Sequence, residues 1–275
     1  MTYPALMVQL QLGRSHTGLL QITQSLAEQF GAGVIGIVAC QPLQMIYGET
    51  YVSGDLLKAS FDEFDEEIAV AETEFRAAFS SQIKILGWQK SITFGPLCDF
   101  VAQEGRSADL IITGVTPSGF LSEDHVMSIT DLVMQAGRPV LIVPESKTSL
   151  NLNRVLVAWN DTREARRAIT DALPMLKEAV DVTVVQLAAE EEVAAVRRQL
   201  DDVIEWLGRH GVKASAVVAP SSGDDADELS RYATAHGADL LVAGAYGHSR
   251  MREWALGGVT RDLLLGGNIC SLVSH

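Results

Sequence analysis

The feature that most constrains this chain is that it repeats itself. Ala108-Asp109-Leu110-Ile111-Ile112-Thr113-Gly114 resembles Ala238-Asp239-Leu240-Leu241-Val242-Ala243-Gly244 at an offset of 130 residues, and the same offset carries Gly137 onto Gly267 and Val143 onto Val273. Gly114 to Gly137 and Gly244 to Gly267 are both intervals of 23 residues. One short apolar run matches easily by chance; two matches with no gap between them do not. The beginnings also align: Met7–Gln11 falls on Leu156–Asn160 at an offset of 149, so the first copy is 19 residues longer. The extra length is expected around Gln41–Lys58, a stretch of weak periodicity. A polar run, Glu145–Asn153, follows Pro144 and marks the boundary, giving expected domains at 1–147 and 152–275.

Within the second copy, strand and helix patterns alternate. Arg154–Trp159, Val182–Leu187, Val212–Ala219, Asp239–Gly244 and Ile269–Val273 are short apolar or β-branched runs and predict strands. Between them, Thr162–Leu176, Glu191–His210, Asp224–His236 and Val259–Leu265 have helical spacing. Thr162 is a candidate N-cap, Gly211 and Gly237 are helix stops, and Pro174 is expected to kink or end its helix early. The first copy repeats this with strands at Leu6–Leu12, Val34–Cys40, Lys90–Thr93, Leu110–Gly114 and Val140–Val143. Its long acidic helix carries Phe61, Phe64, Ile68, Ala71 and Phe75 on one face, so the neighbouring Asp62, Glu63, Asp65, Glu66 and Glu67 read as a solvated face rather than a metal site. Apolar strands alternating with amphipathic helices specify α/β architecture: two tandem open parallel five-stranded sheets with helices on both faces.

Composition narrows the function. With 21 Lys+Arg against 35 Asp+Glu the net charge is −14, which repels phosphate backbones and anionic lipid, so neither nucleic acid nor membrane is an expected partner. No run of apolar residues reaches membrane-spanning length and no signal peptide is recognisable, so a cytoplasmic location is expected. Cys40, Cys98 and Cys270 are far apart, without metal-ligand spacing, and read as free thiols.

In open parallel sheets ligands bind at the carboxyl ends of strands, where strand order reverses. After the strand ending at Gly244 comes Ala245-Tyr246-Gly247-His248-Ser249-Arg250-Met251-Arg252, and then Gly257-Gly258-Val259-Thr260 opens a helix. Glycines there let backbone approach a ligand, and unpaired helix N–H groups favour a phosphate. This is neither a Walker loop nor the dinucleotide fingerprint, because no Gly-Lys-Ser/Thr closes it and the loop follows a late strand. Adjacent His248 and Ser249 suggest no oriented triad, and Tyr246 and Trp254 serve either base shielding or packing.

These residues resemble the universal stress protein family in its tandem two-domain form, over essentially the whole chain. The family pattern for ATP is Gly, two residues, Gly, nine residues, Gly, then Ser or Thr; Gly244, Gly247 and Gly257 match it. The opening Val155–Asn160 is similar to the family's first strand, whose end carries an acidic residue facing the nucleotide. The resemblance implies a Rossmann-like, adenine nucleotide α-hydrolase-like fold, with the halves packed as a pseudo-dimer, last strands facing each other. It also implies ATP or a related adenine nucleotide, with Mg²⁺, contacted by Ala158, Trp159, Asn160, Gly244, Gly247, His248, Gly257, Gly258, Val259 and Thr260. Three departures stand out: Gly258 replaces the Ser/Thr, with Thr260 as a nearby substitute; Asn160 replaces the usual Asp; and the last strand opens Asn268-Ile269-Cys270 rather than Cys-Pro. In the first copy Val115, Thr116 and Pro117 follow Gly114, Met127 stands at the Gly257 position and Gln11 at the Asn160 position, so that half is expected to have lost the site.

The expectation is a stress-linked regulatory protein whose nucleotide orders residues 245–257 and changes the surface offered to a protein partner. A homodimer is compatible with the family habit. No catalytic or metal residue is assigned. Two alternatives stay open: an interaction module without nucleotide, and a slow nucleotide hydrolase using His248.

Overall fold

The computed structural model describes residues 2–42, 54–79, 83–115, 127–221, 225–245 and 268–275. Ten strands form one sheet in the order β3-β2-β1-β4-β5-β10-β9-β6-β7-β8. The first half supplies β1 (Ala5–Leu10), β2 (Gly33–Cys40), β3 (Ile85–Ile92), β4 (Leu110–Gly114) and β5 (Val140–Val143). The second supplies β6 (Arg154–Ala158), β7 (Asp181–Ala188), β8 (Ala214–Pro220), β9 (Leu240–Gly244) and β10 (Cys270–Ser274). Inside each half every pairing is parallel. The halves join through β5 and β10, which run antiparallel with Leu141 opposite Leu272. The two five-stranded sheets expected from the patterning are therefore present, fused edge to edge by their last strands.

The register confirms the repeat and corrects one detail. Met7 lies beside Ile111, and Leu156 beside Leu241, which are the residue equivalences of the two sequence offsets. The last strand slips by one residue: Val143 is beside Gly114, but it is Ser274, not Val273, that is beside Gly244. Strand side chains alternate between faces, so a gapless alignment would turn β10 inside out. The slip puts Leu272 on the same side as Leu141 and Val143, and Val273 with Val140 and Ile142.

Eight helices are described: α1 (Thr17–Phe30), α2 (Gly54–Ala78), α3 (Leu97–Glu104), α4 (Ile129–Ala136), α5 (Arg163–Asp171), α6 (Leu173–Glu178), α7 (Val193–Arg209) and α8 (Asp225–Ala235). The helix expected over Thr162–Leu176 is two, because Pro174 lacks the N–H a continuous helix needs and instead sits in the first turn of α6. β3 begins earlier than Lys90 because an edge strand needs no unbroken apolar run; none of its residues is buried and Leu86, Gln89 and Lys90 are exposed. The expected helix Val259–Leu265 and most of the Gln41–Lys58 stretch lie outside the described residues. On α2, Ile68, Ala71 and Phe75 are buried while Asp62, Glu63, Asp65, Glu66 and Glu67 are exposed, with Lys90 Nζ donating to Asp65 at 2.9 Å.

One continuous core lies under α1, α2, α5, α6 and α7 and crosses the seam between halves, from Leu20 and Phe75 to Leu173 and Leu200. Tyr3 in the first half donates from its hydroxyl to the Asp171 carbonyl at 2.6 Å. Among the described residues no helix is long and apolar enough to cross a membrane.

All three cysteines are free and buried. Burial, first of all, pushes each thiol up to about 11; at Cys98 the Asp99 carboxylate adds to it. Two units above the ordinary value of 9.0, thiolate at pH 8 is about 100-fold scarcer. Iodoacetamide at pH 8 is therefore expected to label the native protein at least about 100-fold more slowly than the protein in urea. Native labelling at the free-thiol rate would contradict this packing.

Candidate functional site

Strand order reverses between β6 and β9 in the second half, as between β1 and β4 in the first. Ala158 lies directly beside Ala243, so Asn160 and Gly244, 84 residues apart in sequence, leave the sheet side by side. Asn160 is exposed and accepts from the Thr162 hydroxyl at 2.9 Å. Thr162 caps α5 by accepting from the Ala165 N–H at 3.2 Å, as its sequence position predicts. The turn between them requires a left-handed residue, Asp161 at φ 52°, whose carboxylate is held by Arg166 at 2.7 Å.

Gly244 has a packing role of its own. A Cβ there would lie 2.4 Å from both Ala165 N and Glu164 C, in the first turn of α5. That helix can come so close because its sheet-facing side is small: Ala165, Ala168 and Ala172 are all buried. In the first half the corresponding helix presents Leu19, Leu20, Ile22 and Leu26, and a Cβ on Gly114 would meet nothing within 4 Å. The same sheet thus carries two different helix seatings.

The close seat of α5 buries Glu164, which is 2% exposed. Burial opposes its charge, but the Arg163 guanidinium and Glu164's own backbone N–H outweigh burial and hold the carboxyl below its ordinary range. Its Oε2 and the Ser274 hydroxyl, opposite Gly244 in the β9–β10 register, are buried without a partner among the described residues. The His275 Nδ1 donates to the Ala245 carbonyl at 3.0 Å, and the Ala245 N–H donates to the Ser274 carbonyl at 2.9 Å. The sequence points to neither Glu164 nor Ser274. A first-turn acidic residue reads as a dipole partner, and only the alanine face beneath it makes it a buried one.

Of the residues expected to hold the nucleotide, Ala158, Asn160 and Gly244 share this strand-end edge. Trp159 is buried in the core beneath α5 and α7, facing the helices rather than the strand-end crevice. Gly247, His248, Gly257, Gly258, Val259 and Thr260 lie outside the described residues.

The first half holds a crevice of its own at its switch point, about 70 Å³, reaching from Gln9 and Arg14 to Gly114 and Glu145. Gln9 is buried, accepting from the Thr113 hydroxyl at 2.8 Å. His16 lies between Glu74 and the Gln11 carbonyl, each at 2.8 Å. The sequence reading missed these groups, since it followed glycines alone.

No family model matches the sequence, and no curated protein does either. Solved structures do. The chain is similar to a universal stress protein from Archaeoglobus fulgidus DSM 4304, with a TM-score of 0.72 and 14% identity over 98% of this chain and 95% of that one. It is also similar to a functionally unknown protein from Pseudomonas aeruginosa PAO1, with a TM-score of 0.57 and 14% identity over 99% of this chain and 92% of that one. Over nearly its whole length, with two copies of one α/β unit fused through their last strands, this chain has the universal stress protein fold.

Proposed function

We propose that the protein is a cytoplasmic regulatory protein that binds ATP or a related adenine nucleotide in its second domain, residues 152–275, with residues 1–147 as a structural partner. The observation that carries this is the meeting of Asn160 and Gly244 at one strand-end edge, where the strand order reverses. Asn160 offers an amide that both donates and accepts, suited to a base or ribose edge. The glycine-rich segment beginning at Gly244 supplies backbone N–H groups for phosphates. Mg²⁺ would neutralise them from the solvent side. Binding that orders residues 245–257 changes the surface beside β9 and β10, which is where regulation of a partner would act.

A second reading rests on the first-half crevice, where Arg14 supplies a cationic side chain beside Gly114. Isothermal titration with ATP and Mg²⁺ separates the two. The first reading expects saturable binding that is lost in Gly247→Val and kept in Arg14→Ala. The reverse pattern would move the ligand to the first half. A folded, nucleotide-free parent that binds no ATP overturns the nucleotide reading and leaves an interaction module.

A further inference from the structure

Replacing the large apolar face of α1 by the alanine face of α5 has an effect on the outer side of the helix. In the first half α1 packs against α2, and the His16–Glu74 contact at 2.8 Å bridges them. In the second half α5 is drawn down onto β9 and β10, and a cleft of about 380 Å³ opens between α5 and α7. Its base is apolar: Trp159 and Ile169 are buried, and Val203 and Trp206 are half-buried. Its rim is acidic. Asp161 is matched by Arg166, but Asp202 on α7 makes no ion pair among the described residues.

We propose that this cleft binds a small organic cation: a ligand with a flat or compact apolar body and one ammonium or quaternary ammonium group. The volume falls in the range of small-molecule pockets and is far above what a few waters need. Two of the four tryptophans of the chain line it. Indole faces attract cations, more strongly where water is excluded. Trp159 is 7% exposed and Trp206 half-buried, so the indoles form the apolar floor against which the ligand's body would lie. Asp202 supplies a countercharge at the mouth, and the net charge of −14 raises the local concentration of cations over anions. Among the described residues neither Asn160 nor Gly244 lines the cleft, so it is a site separate from the strand-end edge.

The test is a titration of the full chain with benzyltrimethylammonium, followed by intrinsic tryptophan fluorescence, beside benzyl alcohol as a neutral probe and benzenesulfonate as an anionic one. Saturable quenching by the cation is expected, at least about ten-fold tighter than by benzyl alcohol, with none by benzenesulfonate. Asp202→Asn, an exposed substitution compatible with folding, should weaken the cation several-fold and leave the neutral probe unchanged. Trp206→Ala should weaken both. Equal binding of cation and neutral probe, an Asp202→Asn variant indistinguishable from the parent, or no saturation by the cation at millimolar concentration each overturns the proposal. Since ATP is absent throughout, failure here leaves the nucleotide reading untouched.

Discussion

Gly244→Ala is expected to destabilise the protein by about 1–3 kcal/mol, while Gly114→Ala, the same position in the other copy, changes stability by less than about 0.5 kcal/mol. The new methyl group at 244 would stand 2.4 Å from backbone atoms of α5, and no rotamer change relieves a backbone contact. The helix must lift, and lifting it opens the alanine face that seats it and brings Glu164 toward water. At 114 the methyl meets nothing within 4 Å, and the backbone does not need a left-handed residue. In a thermal melt the difference should be several degrees, since each kcal/mol is worth about 2–4 °C in a chain of this size. Equal melting temperatures for the two variants would show that α5 does not seat on β9 as described. The variant pair also reports on function. If Gly244 serves only helix packing, nucleotide affinity falls in proportion to the folded fraction; if its backbone also meets the ligand, affinity falls further than stability does.

The repeat made most of the fold legible because it is carried by strands buried on both faces, where sequence has little freedom. Ile111 and Leu241, or Met7 and Leu156, are held by the same neighbours in the same register. Where one side of an element meets solvent the signal weakened, as in β3, whose mixed edge hid its start. The one-residue slip of the last strand was invisible because apolarity favours the gapless match of Val-Leu-Ile-Val to Cys-Ser-Leu-Val over the true match to Ser-Leu-Val-Ser. It is settled by which face each leucine fills. The candidate site was legible only in its backbone part. Asn160 and Gly244 could be matched to a pattern, but Glu164, Ser274 and the Trp159–Trp206 cleft arise from how deeply one helix sits. That depth depends on the sizes of Ala165, Ala168 and Ala172 acting together across the sheet, which no local window reveals. The two copies thus share a sheet and differ in what their first helices permit. The first half closes α1 onto α2 and keeps a crevice at its strand ends; the second seats α5 on β9 and β10 and opens the α5–α7 cleft.

Leu272→Ala is expected to cost about 2–5 kcal/mol, and to cost it in both halves at once. Leu272 is fully buried, faces Leu141 across the antiparallel seam and Val242 along the parallel one, and belongs to the core cluster that runs from Leu20 to Leu200. A two-domain chain with a small polar interface would unfold in two steps, each domain by its own core. Here the backbone hydrogen bonds of β10 tie it to both halves, and the apolar layer beneath α1, α2, α5 and α7 has no break at the boundary. Calorimetry of the parent should therefore give one transition, and native-state hydrogen exchange in Leu272→Ala should speed in β1 as much as in β6. Val70→Ala, at a side chain 69% exposed, is the matching control and should change neither. Two resolved transitions in the parent, or faster exchange confined to the second half, would mean that the continuous sheet does not make one cooperative unit. In that case the first half could not report nucleotide binding in the second, and a regulatory signal would have to travel through residues beside the site alone.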